Sequence, residues 1–265
     1  MNENIKWFAA AVGVVGLSVG AVIYLSMKDK APPPTEPPLA VTPPPAAVPE
    51  EEPAVKHPLP TPANQEALPA LADSDQPMQN AIGDLIGKET VEKYFVPENL
   101  VRHLVVSIDN LSESKIAERI RPLKRVPGSF EVDGADQTLV LDPRNYERYK
   151  PLVQTIKAVD SKVLIATYVR YYPLFQDAYE SLGHPPEYFN DRLIEIIDLL
   201  LATPDVRSPI PLAQPGVLYE YADPKLEALS AGQKALIRMG SDNAAAVKDK
   251  LRELRVELVA QKPAD

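Results

Sequence analysis

The sequence predicts a mainly α, multi-helix bundle-like soluble domain with one small β-hairpin, preceded by a single transmembrane helix and a disordered proline-rich linker. Three observations predict it. Residues 7–25 carry no charged side chain, residues 31–69 hold 14 prolines, and from about residue 70 apolar side chains recur at helical spacing. The chain accordingly divides into a tail at 1–6, a membrane span at 7–27, a linker at 28–69, a helical domain at 70–261 and a tail at 262–265.

Composition removes several classes of chemistry. Among 265 residues there is no cysteine, so disulfides, thiolate nucleophiles and Cys-based zinc or iron–sulfur sites are excluded. His57 lies in the proline tract, which leaves His103 and His184, too few for a multi-histidine metal centre. With 28 Lys+Arg against 37 Asp+Glu the net charge is -9, and phosphate neutralisation needs a basic surface, so no nucleic-acid partner is expected. No metal and no cofactor is expected either.

Trp7 to Leu25 would span about 28 Å as a helix, close to a bilayer core. Trp7 and Tyr24 suit the headgroup layers, and Lys6 and Lys28 close the ends. An uncleaved signal anchor fits better than a signal peptide, because the leading residues are weakly basic and Ser18-Val19-Gly20 is a poor cleavage site. Lysines on both flanks leave the orientation open on charge alone. A single N-terminal anchor commonly exports the domain behind it, which places that domain in the periplasm of a Gram-negative cell, tethered to the inner membrane. Ala9, Gly13, Gly16 and Gly20 share one narrow stripe, a close-packing surface for a homodimer or another membrane helix, although small residues are common in such helices. The linker, from Ala31 to Pro69, has too little apolar surface to fold and would reach on the order of 120 Å if fully extended.

In the domain, Ser74 or Asp75 is placed to cap a helix with Met78, Ala81, Ile82, Leu85 and Ile86 on one face, and Gly87 to end it. Pro97 is expected to open a second helix through Ile108, and a short helix is expected near Glu113 to Arg121, stopped by Pro122. Phe130 to Val132, the Asp133-Gly134 pair and Thr138 to Leu141 read as the hairpin. Asp142-Pro143 begins a helix kinked at Pro151. Asp160 caps a helix from Val163 to Leu182 interrupted at Pro173, and Glu187 to Ala202 carries Leu193, Ile196, Ile197, Leu200 and Leu201 on one face. Val217 to Tyr221 reads as a short strand. Helices near Pro224 to Leu229 and Ala231 to Met239 precede a last one capped by Ser241 or Asp242, whose Val247, Leu251, Leu254 and Leu258 form an apolar seam too short for a coiled coil.

The segments Arg170-Tyr171-Tyr172-Pro173-Leu174-Phe175-Gln176-Asp177-Ala178-Tyr179, Tyr188-Phe189-Asn190-Asp191-Arg192-Leu193-Ile194 and Leu200-Leu201-Ala202-Thr203-Pro204 resemble the bacterial family "domain of unknown function 3014". Val106 to Leu111, Ala222-Asp223-Pro224 and Leu229 to Gly240 add to the likeness, which covers about 70 to 258. The resemblance implies a membrane-anchored envelope protein without assigned activity, so it supplies no catalytic residues.

Two groups of residues are candidates for a site. Seven of the 17 aromatics fall between 168 and 189, and Arg170, Tyr171, Tyr172, Asp191 and Arg192 offer a stacking and charged surface for a protein or a sugar. The same spacing also suits a core stripe, since Tyr168, Tyr171, Phe175 and Tyr179 are three and four apart. Glu187, Asp191, Glu195 and Asp198 share one helix face. Paired carboxylates serve glycoside hydrolysis, whereas a solvated face is the plainer reading. Arg119, Arg121, Lys124 and Arg125 form a basic cluster suited to an acidic partner or simply to a helix C-terminus. No phosphate loop, GxSxG, HExxH or dinucleotide fingerprint is present. The expectation is a non-catalytic interaction domain presented to another envelope protein. The alternative is a tethered enzyme or binder acting on cell-wall glycan.

Overall fold

Helix packs on helix around a single main core in the computed structural model, which describes residues 55–60, 67–135, 138–184 and 187–261. The expected membrane helix, its Ala9, Gly13, Gly16 and Gly20 stripe, and most of the linker lie outside the described residues. Within them, no helix is long and apolar enough to cross a membrane.

The helices are α1 (Asp75–Ile86), α2 (Lys88–Tyr94), α3 (Leu100–Asp109), α4 (Arg144–Ala158), α5 (Ser161–Glu180), α6 (Phe189–Leu201), α7 (Pro224–Glu227), α8 (Ala231–Arg238) and α9 (Ser241–Val259). The strands are β1 (Val132–Asp133), β2 (Val140–Leu141), β3 (Leu212–Ala213) and β4 (Glu220–Tyr221). α9 packs against α4, α5, α6 and α8, and α3 packs against α1, α5 and α6. The seam Val247, Leu251, Leu254 and Leu258 is fully buried, as are Leu193, Ile196, Ile197 and Leu200 of α6. Each such side chain contributes about 1.5–3 kcal/mol by leaving water.

Caps fix several helix starts. Asp160 accepts from the N–H groups of Lys162 and Val163 at 2.9 and 3.0 Å, and Ser230 with Gln233 forms a capping box on α8. Asp75 acts differently from the expectation. Its carboxylate accepts from the N–H groups of Asn99 and Leu100, both at 2.8 Å, so it caps α3 rather than its own helix. Asn99 stands at φ 52 with no side-chain cap of its own, and this replaces the expected start at Pro97.

Other expectations are corrected. α2 is not among the expected helices, and the helix expected near Glu113 to Arg121 is only a 3-10 turn over Glu118–Ile120. Pro173 does not interrupt α5, which runs unbroken because Tyr172, Leu174 and Phe175 on either side of it are buried, outweighing the lost N–H. There are two antiparallel hairpins, not one. β1 pairs with β2 in the register Val132 with Leu141, and β3 pairs with β4 in the register Leu212 with Tyr221. The N–H groups of Leu141 and Leu212 reach the carbonyls of Ile210 and Leu139 at 2.9 and 2.8 Å, joining the hairpins. Leu141, Ile210, Leu212, Tyr221 and Ile237 form a second small core there.

Two buried lysines of α9 seal the ends of other helices. Lys248 Nζ donates to the carbonyl of Thr203 at 2.6 Å, just past α6, and to Asp205 Oδ1 at 2.7 Å. Lys250 Nζ donates to the carbonyl of Val159 at 2.9 Å, just past α4, to Ser161 Oγ and to Glu253. A cation there answers both the unpaired carbonyls and the negative end of the helix dipole. Asp205 is held below the usual carboxylate range by its bond from Lys248. Glu253 is held low by its bonds from Lys250 and Ser161, and Asp142 by those from the Arg144 side chain and backbone.

These observations give two expected outcomes. Gly240 stands at φ 86, and a Cβ would lie 2.6 Å from Tyr146 Cγ, so Gly240→Ala is expected to cost on the order of 2–3 kcal/mol in urea unfolding. The carboxylates with depressed folded-state pKa contribute stability that is present above about pH 4.5 and lost as pH falls through their folded values. Lys250→Met is therefore expected to lower stability at neutral pH and to flatten the acid limb of the stability–pH curve, read by denaturant melts between about pH 2 and 7.

Candidate functional site

The aromatic run that α5 carries meets the first turn of α6. Tyr168, Tyr172, Phe175 and Tyr179 face inward from α5. The chain turns back at Gly183 (φ 103), and α6 then brings Phe189 between the rings. Phe175 stacks on Phe189 at 6.0 Å, Tyr179 meets Phe189 at 5.4 Å, Tyr168 lies edge-on to Tyr172 and Phe175 at 5.6 and 5.5 Å, and Tyr172 contacts Tyr188 at 5.1 Å. Offset and edge contacts of this kind add to simple burial. Gln176 stitches the two helices together. Its Oε1 accepts from Tyr172 Oη at 2.6 Å and from the Phe189 N–H at 2.9 Å, while its Nε2 donates to the carbonyl of Glu187 at 2.9 Å. Burial pushes the Tyr168, Tyr172 and Tyr179 hydroxyls well above their ordinary value, so they remain protonated, neutral hydrogen-bonding groups.

Beside this wall lies a charged cluster. Arg192 Nε donates to Asp109 Oδ1 at 2.8 Å, and its Nη2 donates to the Asp109 carbonyl at 2.7 Å and to Ser112 Oγ at 2.8 Å. Arg192 thereby ties α6 to the end of α3. His184 stacks on Tyr179 at 4.7 Å, with Nδ1 3.4 Å from Glu187 Oε2 and Nε2 3.8 Å from Asp109 Oδ2.

The first turn of α6 holds a piece of the chain from far upstream. Val55 to Pro60, within the expected linker, lie against it. The Asp191 carboxylate accepts from the N–H groups of Lys56 and His57 at 2.9 and 2.8 Å, and Asn190 Nδ2 donates to the His57 carbonyl at 2.8 Å. The Leu59 N–H reaches Tyr188 Oη at 3.0 Å. Pro58 and Pro60 have no N–H, so every backbone donor from 56 to 60 has a partner. Leu59 itself is 8% exposed and belongs to the main core, and Lys56 Nζ sits 3.5 Å from Glu195 at the exposed rim. Burying Leu59 contributes about 2 kcal/mol and the four hydrogen bonds, partly open to solvent, about 2–4 kcal/mol in all. Ordering the three non-proline residues costs about 3–6 kcal/mol, so attachment is near balance. Two polar atoms in this neighbourhood, Tyr168 Oη and Asn190 Oδ1, are buried and have no hydrogen-bond partner among the described residues.

The sequence-derived candidates therefore separate. Asp191 and Tyr172 belong to the groove, with Tyr172 Oη accepting from the Asn190 N–H at 3.4 Å. Arg192 faces the Asp109 cluster, Tyr171 is half-buried against the core, and exposed Arg170 lies over the Tyr171 ring at 5.6 Å. The four carboxylates of the expected α6 face each have a different partner: Glu187 accepts from Tyr179 Oη at 2.8 Å, Asp191 holds the docked chain, Glu195 pairs with Lys56 and Arg192, and Asp198 pairs with Arg255. None of them lines the open cleft of about 580 Å³ between Ser161, Lys250 and Glu257. In the basic cluster Arg121 is buried, Arg125 pairs with Glu118, and Lys124 Nζ donates to the Glu92 carbonyl at 2.6 Å. Among the described residues no group of three or more His, Asp or Glu is arranged to hold a metal ion.

Asn190 and the 56–60 segment are absent from the sequence-derived candidates, and Tyr188 entered them only as one of the seven clustered aromatics. A signal was present in Pro58-Leu59-Pro60, a leucine isolated between prolines, and in Asn190-Asp191, two polar residues at a helix start. Comparison with curated proteins and with solved structures gives no match. The family model described as "Protein of unknown function (DUF3014)" matches residues 100–255, which include α3, the aromatic wall, the first turn of α6 and most of α9. By that match the chain belongs to the DUF3014 family.

Proposed function

We propose that the protein is a single-pass envelope protein that presents this helical domain, on its proline-rich spacer, to another envelope protein. Trp7 to Leu25 provides the anchor, and the inner membrane with a periplasmic domain is the setting. The observation that carries the reading is the groove at the start of α6, where side chains of Tyr188, Asn190 and Asp191 take hold of a polypeptide segment, bent at Lys56 and His57, through its backbone. Side chains that engage main-chain N–H and C=O groups recognise polypeptide as such, which is the chemistry of protein recognition. The carboxylates from Glu187 to Asp198 favour this reading over glycan hydrolysis, since each is engaged by its own counter-charge or donor and none lines the open cleft beside Ser161.

The test is crosslinking of full-length protein in its native membrane, with protease accessibility of the domain scored in the same preparation. The expected result is a stoichiometric protein partner on the outer side, whose yield falls about tenfold or more in a Tyr188→Ala, Asp191→Ala double variant that keeps the wild-type circular dichroism. Equal capture by that variant, or retention on isolated cell wall with no protein partner, overturns the reading.

A further inference from the structure

We propose that the groove between the end of α5 and the first turn of α6 recognises a peptide of the pattern Lys-His-Pro-Leu-Pro, bent at its first two residues, and that Lys56–Pro60 is its resident ligand within the same chain, a latch that occludes the groove until a peptide of like pattern displaces it. The inference rests on the reading of this groove as the interaction surface, and it adds the ligand class and the control of access.

The match between strand and groove is specific in register. Two consecutive N–H groups meet the two oxygens of Asp191, a carbonyl meets Asn190 Nδ2, and a third N–H meets Tyr188 Oη. The two positions without a donor are prolines, where the groove offers no acceptor. Sliding the strand by one residue would bring Pro58 opposite an Asp191 oxygen and leave that charge without its hydrogen bond. Prolines also restrict the backbone before docking, which lowers the ordering cost of the bound segment. Leu59 supplies the buried anchor.

The same contacts govern closure and release. A ligand carried by the same chain is present at an effective concentration on the order of millimolar, so a small contact remains closed against dilute competitors. Asn190 Oδ1 and Tyr168 Oη, both in residues nine-tenths or more buried, have no hydrogen-bond partner among the described residues.

The experiment uses the full chain in detergent and a labelled synthetic peptide with the sequence of Val55–Pro60, read by fluorescence anisotropy. Leu59→Asp, which expels the latch, is expected to bind the peptide at least about tenfold more tightly than wild type, and adding Asp191→Ala is expected to abolish that binding. No binding by Leu59→Asp, or binding equal to wild type, overturns the inference while leaving the crosslinked partner of the previous test untouched. Hydrogen exchange on the wild-type chain gives a second readout that needs no variant. The amides of Lys56, His57 and Leu59 are expected to be protected to the same degree at high and low protein concentration. Absent protection, or protection lost on dilution as for a strand donated by a second copy, also overturns it.

Discussion

Burial of the Val247, Leu251, Leu254 and Leu258 seam is the interaction on which the other contacts depend, because α4, α5, α6 and α8 all pack against that helix. The seam gives α9 a position, and Lys248 and Lys250 then fix its direction and depth. Each brings one ammonium to the carbonyl end of another helix, a place where an apolar side chain would leave acceptors unsatisfied. A slip of α9 by one residue would expose the seam and withdraw both cations together.

The wall between α5 and α6 shows how one set of residues serves packing and recognition. Phe175, Tyr179 and Phe189 are committed to the core. Tyr172 and Tyr188 are packed by their rings, but their hydroxyls reach the first turn of α6 and the docked strand. The wall is held by Gln176, which satisfies a tyrosine hydroxyl and a helix-start N–H at once, and by Arg192, which binds α6 to α3. The groove is therefore placed on two long helices with their ends pinned, a rigid mounting for contacts that depend on positions within a fraction of an ångström.

The proline-rich stretch has two physical characters. Its composition provides no core of its own, yet Leu59 finds one in the helical domain. Because prolines lack donors, the strand from 56 to 60 asks for only three acceptors, and three side-chain oxygens of α6 and the residue before it supply them. The balance of terms is close enough to favour reversible attachment over permanent burial.

Spacing and composition were enough for the helical class, the apolar stripes of α1, α3, α6 and α9, the hairpin at Asp133-Gly134 and the cap at Asp160, while the family came from the resemblance of whole segments. These are local properties, written in spacings of three and four and in the chemistry of single positions. Of the second hairpin only one strand was legible, Val217 to Tyr221, of which Glu220–Tyr221 forms β4; its partner β3, two residues in a Pro-containing loop, carries no alternation. Nor was the unbroken course of α5 through Pro173, which depends on what its flanking residues bury, or the capping of α3 by Asp75 from a distant turn. For the groove, residue types alone placed Tyr172 and Asp191 in one candidate set. They could not tell that Arg192 is taken up by Asp109, or that a leucine more than a hundred residues upstream returns to the same helix end. Contacts between positions so far apart in the chain leave no period for a sequence to show, and they arise only when α5 packs against α6.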